Sequence, residues 1–263
     1  MPPIAVRIAD EIRLKIERGE LAPGDQLPTL NELADAWSCS MGSAREAVDL
    51  LRRQGLVSSR RGRPSTVRHP PRRILRDAAR HQQEKDLVRM DAAERAASGA
   101  AETDLNARLA DFRFTAEYET VALPDGDLSN VFELQPGTPM LRRVFELRDP
   151  ANGHRQAWSV SHLPVKLIEA NPALLDQSNE PWPGGTQHQL ATVGIEVVRM
   201  DDLVWADMPT TADVQVWGLP DGVPMLHVRR ISIDQNGRVV EVSDATYPAD
   251  RTELRFSTPL ARW

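Results

Sequence analysis

The chain has 263 residues, 41% of them apolar, with a net charge of −6. That length suffices for two domains with proper cores. No apolar run reaches the roughly 18 residues a membrane helix needs, and the single cysteine, Cys39, excludes an internal disulfide. With no signal-peptide stretch at the start, the expectation is a cytoplasmic protein with no membrane partner.

The charge is unevenly spread. Residues 1–76 hold 14 Lys+Arg and 9 Asp+Glu, a net of +5, which leaves −11 for the rest. Residues 40–76 alone hold ten arginines against Glu46 and Asp49. A basic segment joined to an acidic body is the footprint of a nucleic-acid module attached to something else. The competing explanation is a solvated Arg-rich face.

Ile4, Ile8, Ile12 and Ile16 recur every fourth residue and predict one stripe of an amphipathic helix, stopped by Gly19. "LAPGDQLP" predicts a loop. Thr29 and Glu32 stand at capping-box spacing before a short second helix. Ser40 caps a third, from about Met41 to Gln54, with Ala44, Ala47, Val48 and Leu51 on its apolar face. Leu56-Val57 and Thr66-Val67 predict two short strands around the basic turn Arg60, Arg61, Gly62, Arg63. Three helices and a basic hairpin describe a winged helix-turn-helix. Its third helix suits the major groove, and its hairpin suits phosphates or the minor groove.

The stretch "RGELAPGDQLPTLNELADAWSCSMGSAREAVDLLRRQGLVSSRRGRPSTV" resembles the GntR family of bacterial transcription regulators over nearly all of residues 4–67. The resemblance implies operator contacts at Ser40, Gly42, Ser43, Arg45, Arg61 and Gly62. Met41 and Asn31 stand where the family commonly has arginines that touch DNA. That departure bears on the operator sequence, not on DNA binding itself. Thr29, Asn31, Met41, Arg60 and Arg63 complete the expected DNA-facing set. Arg45 has a second reading, an ion pair with Asp49 one turn on. Cys39 reads as a small buried residue rather than a redox sensor.

Residues 70–110 read as a linker. His69-Pro70-Pro71 is a stiff joint, and from about Ile74 to Ala97 the composition predicts a weakly apolar helix. His81 and Asp77 lie one turn apart, where a solvated face outweighs a metal pair.

The remainder, residues 111–263, contains a repeat. "LQPGTPMLRRVFELRDPANGHRQAWSVSHLP" returns 85 positions on as "LPDGVPMLHVRRISIDQNGRVVEVSDATYP". Each copy predicts a helical piece, a turn, a strand, an Asn-Gly turn and a second strand. Two such hairpins can share one antiparallel sheet about an approximate twofold axis, with a pocket between them. Strand alternation puts Ser159 and Ser161 on one face, and Glu241, Ser243 and Tyr247 on the matching face. A solvated outer face is the alternative. Gly184, Gly185 and Thr186 precede a helix, where free N–H groups favour an anion, though a plain loop with a cap fits as well.

This half resembles the UTRA ligand-binding domain of the HutC subfamily, whose fold is similar to chorismate lyase. The matching marks are the "G-x-P-x-L" start of both copies, "S-x-L-P" and "RVVEVSDATYPADR". The resemblance implies an effector pocket and a homodimer. Arg142, Arg143, Arg229 and Arg230 can supply charge, though some of them face solvent; Arg142, Arg143, Arg230 and Trp158 join the expected effector set. Phe145 and Ser159 stand where sugar-phosphate-binding members have a basic residue and Glu, which weakens the case for a phosphorylated sugar.

The expected fold class is α+β: a winged helix-turn-helix, a helical linker and a chorismate-lyase-like antiparallel sheet. The leading function is a repressor, released from a palindromic double-stranded DNA operator by a small effector with an acidic group. Two other classes stay open: an enzyme of lyase-like fold, and a DNA-binding or partition protein without an effector. No acid, base or nucleophile set stands out, so no catalytic residue, metal site or cofactor is expected.

Overall fold

The computed structural model describes residues 1–59, 63–69, 71, 73–97 and 112–260. By contact the chain divides into two compact units, Met1–Arg72 with Met208–Pro224, and Arg73–Asp207 with Met225–Trp263.

The first unit opens with α1 (Ile4–Glu17), α2 (Leu30–Ala36) and α3 (Met41–Arg53), then β1 (Val57–Ser58) and β2 (Thr66–Val67). The isoleucine stripe does what its spacing predicts. Ile8 and Ile12 are buried with Ala5 and Ala9, while Ile4 and Ile16 flank them. α3 packs on α1 through Ala44, Ala47, Val48 and Leu51, mostly small side chains that let the two helices approach closely. The capping box at α2 is complete. The Thr29 N–H donates to the Glu32 carboxylate (2.7 Å), and the Glu32 N–H donates to Thr29 Oγ1 (3.3 Å). At α3 the Ser43 N–H donates to Ser40 Oγ (3.1 Å). The hairpin pairs Val57 with Val67 and Ser58 with Thr66. The stretch expected to be only a loop joins it, because the Leu27 N–H donates to the Ser65 carbonyl and the Val67 N–H to the Asp25 carbonyl, both at 2.8 Å.

The linker departs from the expected continuous helix. It forms β3 (Ile74–Asp77), α4 (Arg80–Leu87) and α5 (Ala92–Ala97). β3 pairs in parallel with β10 (Thr252–Arg255), Ile74 opposite Thr252 and Asp77 opposite Arg255. A partner some 180 residues away decides strand over helix there, and composition carries no sign of it. Residues 98–111 lie outside the described residues.

The remaining elements are β4 (Arg113–Ala122), α6 (Asp127–Phe132), β5 (Pro139–Arg148), β6 (Arg155–Pro164), α7 (Val165–Ile168), α8 (Gly185–Ala191), β7 (Val197–Asp207), α9 (Thr211–Trp217), β8 (Met225–Asp234) and β9 (Val239–Pro248). β4 to β9 make one antiparallel sheet in the order β4-β5-β6-β9-β8-β7. The repeat is therefore longer than the sequence suggests: strand, helix, strand, strand, in each copy. β6 meets β9 at the centre, with Val160 opposite Asp244, the pair through which the repeat places the pseudo-twofold axis. Gly153 and Gly237 hold the two hairpin turns at φ 72° and 79°, the left-handed region that glycine enters without steric cost.

Two apolar clusters cover opposite faces of this sheet. One joins Leu141, Leu163 and Val197 to Ile168 of α7 and Leu190 of α8. The other joins Met140 and Val242 to Phe132 of α6. No helix among the described residues is long and apolar enough to cross a membrane.

Candidate functional site

The register of the large sheet aligns six side chains in one row, one from each strand. Tyr118 lies opposite Arg143, Arg143 opposite Ser161, Ser161 opposite Ser243, Ser243 opposite Arg230, and Arg230 opposite Asp202. Successive strand residues alternate between faces, so the whole polar row faces α8. The adjacent same-face row reads Ala116, Phe145, Ser159, Ala245, Val228, Val204. The pseudo-twofold exchanges these two rows. The copies have thus diverged into a polar half and a mainly apolar half.

Arg143 is the centre of the polar half, with its side chain only 2% exposed. Its Nε donates to Ser161 Oγ (2.9 Å), its Nη1 to Gln189 Oε1 (2.6 Å), and its Nη2 to Thr186 Oγ1 (3.2 Å) and Glu241 Oε1 (2.6 Å). Four acceptors around one guanidinium offset the cost of burying its charge. The network continues outward. Gln189 Nε2 donates to Glu180 Oε1 (3.0 Å), and the Tyr118 hydroxyl donates to the same oxygen. Burial raises the Tyr118 pKa, so its hydroxyl stays protonated. At the other end of the row Arg230 makes a two-pronged pair with Asp202, both bonds at 2.8 Å. Burial opposes the Arg230 charge, and the Asp202 bonds outweigh that, raising its pKa.

A cavity of about 160 Å³ opens beside this network. Ser159, Ser161, Ser232, Glu241 and Ser243 line it from the sheet, with Arg230 beside them. Thr186 and Gln187 face it from α8, Glu84 from α4, and Phe145 and Met200 supply apolar wall. Hydroxyls, guanidinium and amide groups make it rich in hydrogen-bond donors. Burial raises the Glu84 pKa and the nearby Glu241 charge adds to that, while the Gln187 N–H works the other way.

Of the residues expected for an effector, Ser159, Ser161, Thr186, Arg230, Glu241 and Ser243 come together around this cavity, and Arg143 braces Glu241 just behind its wall. The others do not reach it. Arg142 points to the opposite face and pairs with Glu119 at 3.8 Å. Trp158 lies under the Arg155 guanidinium, 5.6 Å from its ring centre. Tyr247 shares the right parity but sits under Arg76, at 4.0 Å. Gly184 packs against Arg95 and His188. Gly185 lies against the Glu84 carboxylate. Sequence reasoning missed Glu84, Gln187, Gln189 and Ser232. Ser232 shares the alternation of Arg230 and was legible by that rule; Glu84 gave no signal.

In the head, Thr29, Asn31, Ser40, Met41, Gly42, Arg45 and Arg63 are exposed and Ser43 is half-buried. Arg45 does not take up Asp49, which pairs instead with Arg52 at 3.2 Å. Arg60, Arg61 and Gly62 lie outside the described residues.

Comparison with known proteins agrees with both halves. Residues 4–67 match the family described as bacterial regulatory proteins, gntR family, and residues 124–253 match the UTRA domain. The chain is 24% identical to the HTH-type transcriptional repressor NagR of Bacillus subtilis (strain 168), over 95% of this chain and 92% of that protein. It is 39% identical to the mannosyl-D-glycerate transport/metabolism system repressor MngR of Escherichia coli (strain K12), over 25% of this chain and 28% of that one. A crystal structure of a GntR-family transcriptional regulator superposes with a TM-score of 0.71 at 22% identity, covering 98% of each chain. With a gntR-type head, a UTRA domain and relatives that are repressors rather than enzymes, the chain belongs to the GntR family of ligand-responsive, DNA-binding transcription regulators.

Proposed function

We propose that the protein is a homodimeric repressor of the HutC type, acting in the cytoplasm, which leaves a palindromic operator when a small acidic effector enters the cavity beside Arg143. The observation that carries this reading is the polar row meeting a donor-rich cavity between the two repeats. Such a wall satisfies the acceptors of an acidic or hydroxylated molecule, whereas an apolar one would leave its donors unpaired. The repressor mode follows NagR, whose sequence runs alongside nearly the whole chain. Residues 1–69 are proposed as the operator-binding domain and 111–263 as the effector-binding and dimerisation domain.

The test has two steps. Genome-wide mapping of bound DNA identifies the operator, and a thermal-shift screen of small acids identifies ligands. Ligands that stabilise the protein are then titrated into the operator complex. Release of DNA is the expected outcome; stabilising ligands that leave operator affinity untouched would sink the reading.

A further inference from the structure

α4 belongs to the linker, yet its Glu84 reaches the cavity between the repeats. Glu84 Oε1 accepts the Gln187 backbone N–H at 3.2 Å. It presses so close on Gly185 that a Cβ there would lie 2.6 Å from the same oxygen. Gln187 answers from the other side, its Nε2 donating to the His81 carbonyl at 2.8 Å. Lys85 adds bonds to the Val197 carbonyl (2.9 Å) and the Glu196 carboxylate (2.8 Å). These polar contacts hold α4, whose inward residues such as His81 and Glu84 are half-buried and none fully so. An element held without an apolar face opens at low cost.

We propose that Glu84 is an internal competitor for the effector: its carboxylate takes the acceptor position in the cavity, and an incoming acidic group displaces it and frees α4 from α8. This rests on the reading of the cavity as the effector site. A ligand that binds only the Glu84-out state shifts the population toward it. The same displacement loosens the chain segment that leads back to the DNA-binding head, so occupancy of the cavity is converted into a change in the linker. The shared chemistry of the displacing group is an oxyanion, carboxylate or phosphoryl.

Full-length protein is titrated calorimetrically with inorganic phosphate and, in parallel, with acetate; the stronger of the two names the oxyanion. Wild type is compared with Glu84→Ala, with Glu84→Gln, which keeps the side chain's size, and with Ser243→Val on the far wall. Amide exchange across residues 80–87 is followed in each. If Glu84 occupies the cavity about nine-tenths of the time, Glu84→Ala binds the preferred probe about tenfold tighter than wild type. The probe speeds α4 exchange in wild type, while in Glu84→Ala exchange is fast already. Equal or weaker binding by Glu84→Ala, no binding by either protein, or α4 exchange that ignores the probe would each overturn the proposal. Ser243→Val separates the two claims. If it weakens the probe while the Glu84 variants change nothing, the cavity reading stands and the competitor falls. If it too changes nothing, the cavity reading itself fails.

Discussion

Glu241 and Arg143 form an ion pair with side chains 8% and 2% exposed. Removing one partner of such a pair strands a buried charge and typically costs about 3–5 kcal/mol. Glu241→Ala is therefore expected to destabilise the second unit by that order in urea melts, and Arg143→Met with Glu241→Leu together by much less. Equal losses from the single and double variants would show that the pair matters only through packing. His81 offers a second test. Burial, reinforced by Arg230 and Arg80 and opposed by Asp202, holds its pKa down to about 3 from 6.5. Neither ring nitrogen has a hydrogen-bond partner among the described residues. Between those two values the unfolded chain binds a proton that the folded one does not. Stability is thus complete above about pH 6.5 and falls as the pH drops through that window. From pH 6.5 to 5 the loss should be roughly 1–2 kcal/mol, and His81→Asn should flatten the profile. At the DNA face, Arg45→Ala with Arg63→Ala should weaken operator binding by about 1–3 kcal/mol for each of the two side chains that reaches a base edge. Thermal stability should be unchanged, because both side chains are exposed. Operator affinity equal to wild type in the double variant would remove α3 and the hairpin from the interface.

Among the elements, β3 and β10 depend on each other. Among the described residues they pair only with one another and form a separate two-stranded parallel sheet. A pair this short is marginal alone. Ending the chain after Arg251 should therefore raise amide exchange at residues 74–77 sharply, while the central strands β6 and β9 keep their protection. Protection at 74–77 that survives the truncation would mean β3 is held by something other than β10. The same pair explains why composition points to one helix across the linker and the fold does not follow it throughout. Ala, Arg, Glu and Gln favour helix locally, and α4 and α5 obey. Residues 74–77 instead follow a distant strand whose hydrogen bonds outweigh a propensity of a few tenths of a kcal/mol per residue.

At the scale of the whole molecule, β7 is an edge strand among the described residues, and Leu203, Val204 and Trp205 are exposed near its end. Exposed apolar residues on an unpaired edge are a liability unless a partner covers them. A dimer formed there would hide them and bring two heads to one operator. Leu203→Glu with Trp205→Glu should convert a dimer into a monomer in sedimentation. It should also lower operator affinity about a hundredfold or more, as the second head's effective concentration falls away. A variant that stays dimeric would place the subunit contact elsewhere.

The sequence by itself determined the head, the repeat and the facing of the strands. Those rest on local rules: the four-residue stripe of Ile4 to Ile16, the Thr29–Glu32 cap, the glycine turns and strict strand alternation. Alternation was enough to put Ser159, Ser161, Glu241 and Ser243 on one face. It also sorts Arg229 from Arg230, the first bonded to Asp244 at 2.6 Å on the α6 face, the second to Asp202. Only the tertiary structure decided what stands opposite that face. Register across six strands chose Tyr118, Arg143 and Asp202 as row-mates. The packing of α4 on α8 brought Glu84 into the cavity from more than a hundred residues away from Gln187. The physical reason is that alternation and capping are set by neighbours in the chain. Register and helix docking are set by burial and hydrogen bonds between segments, which no local pattern encodes.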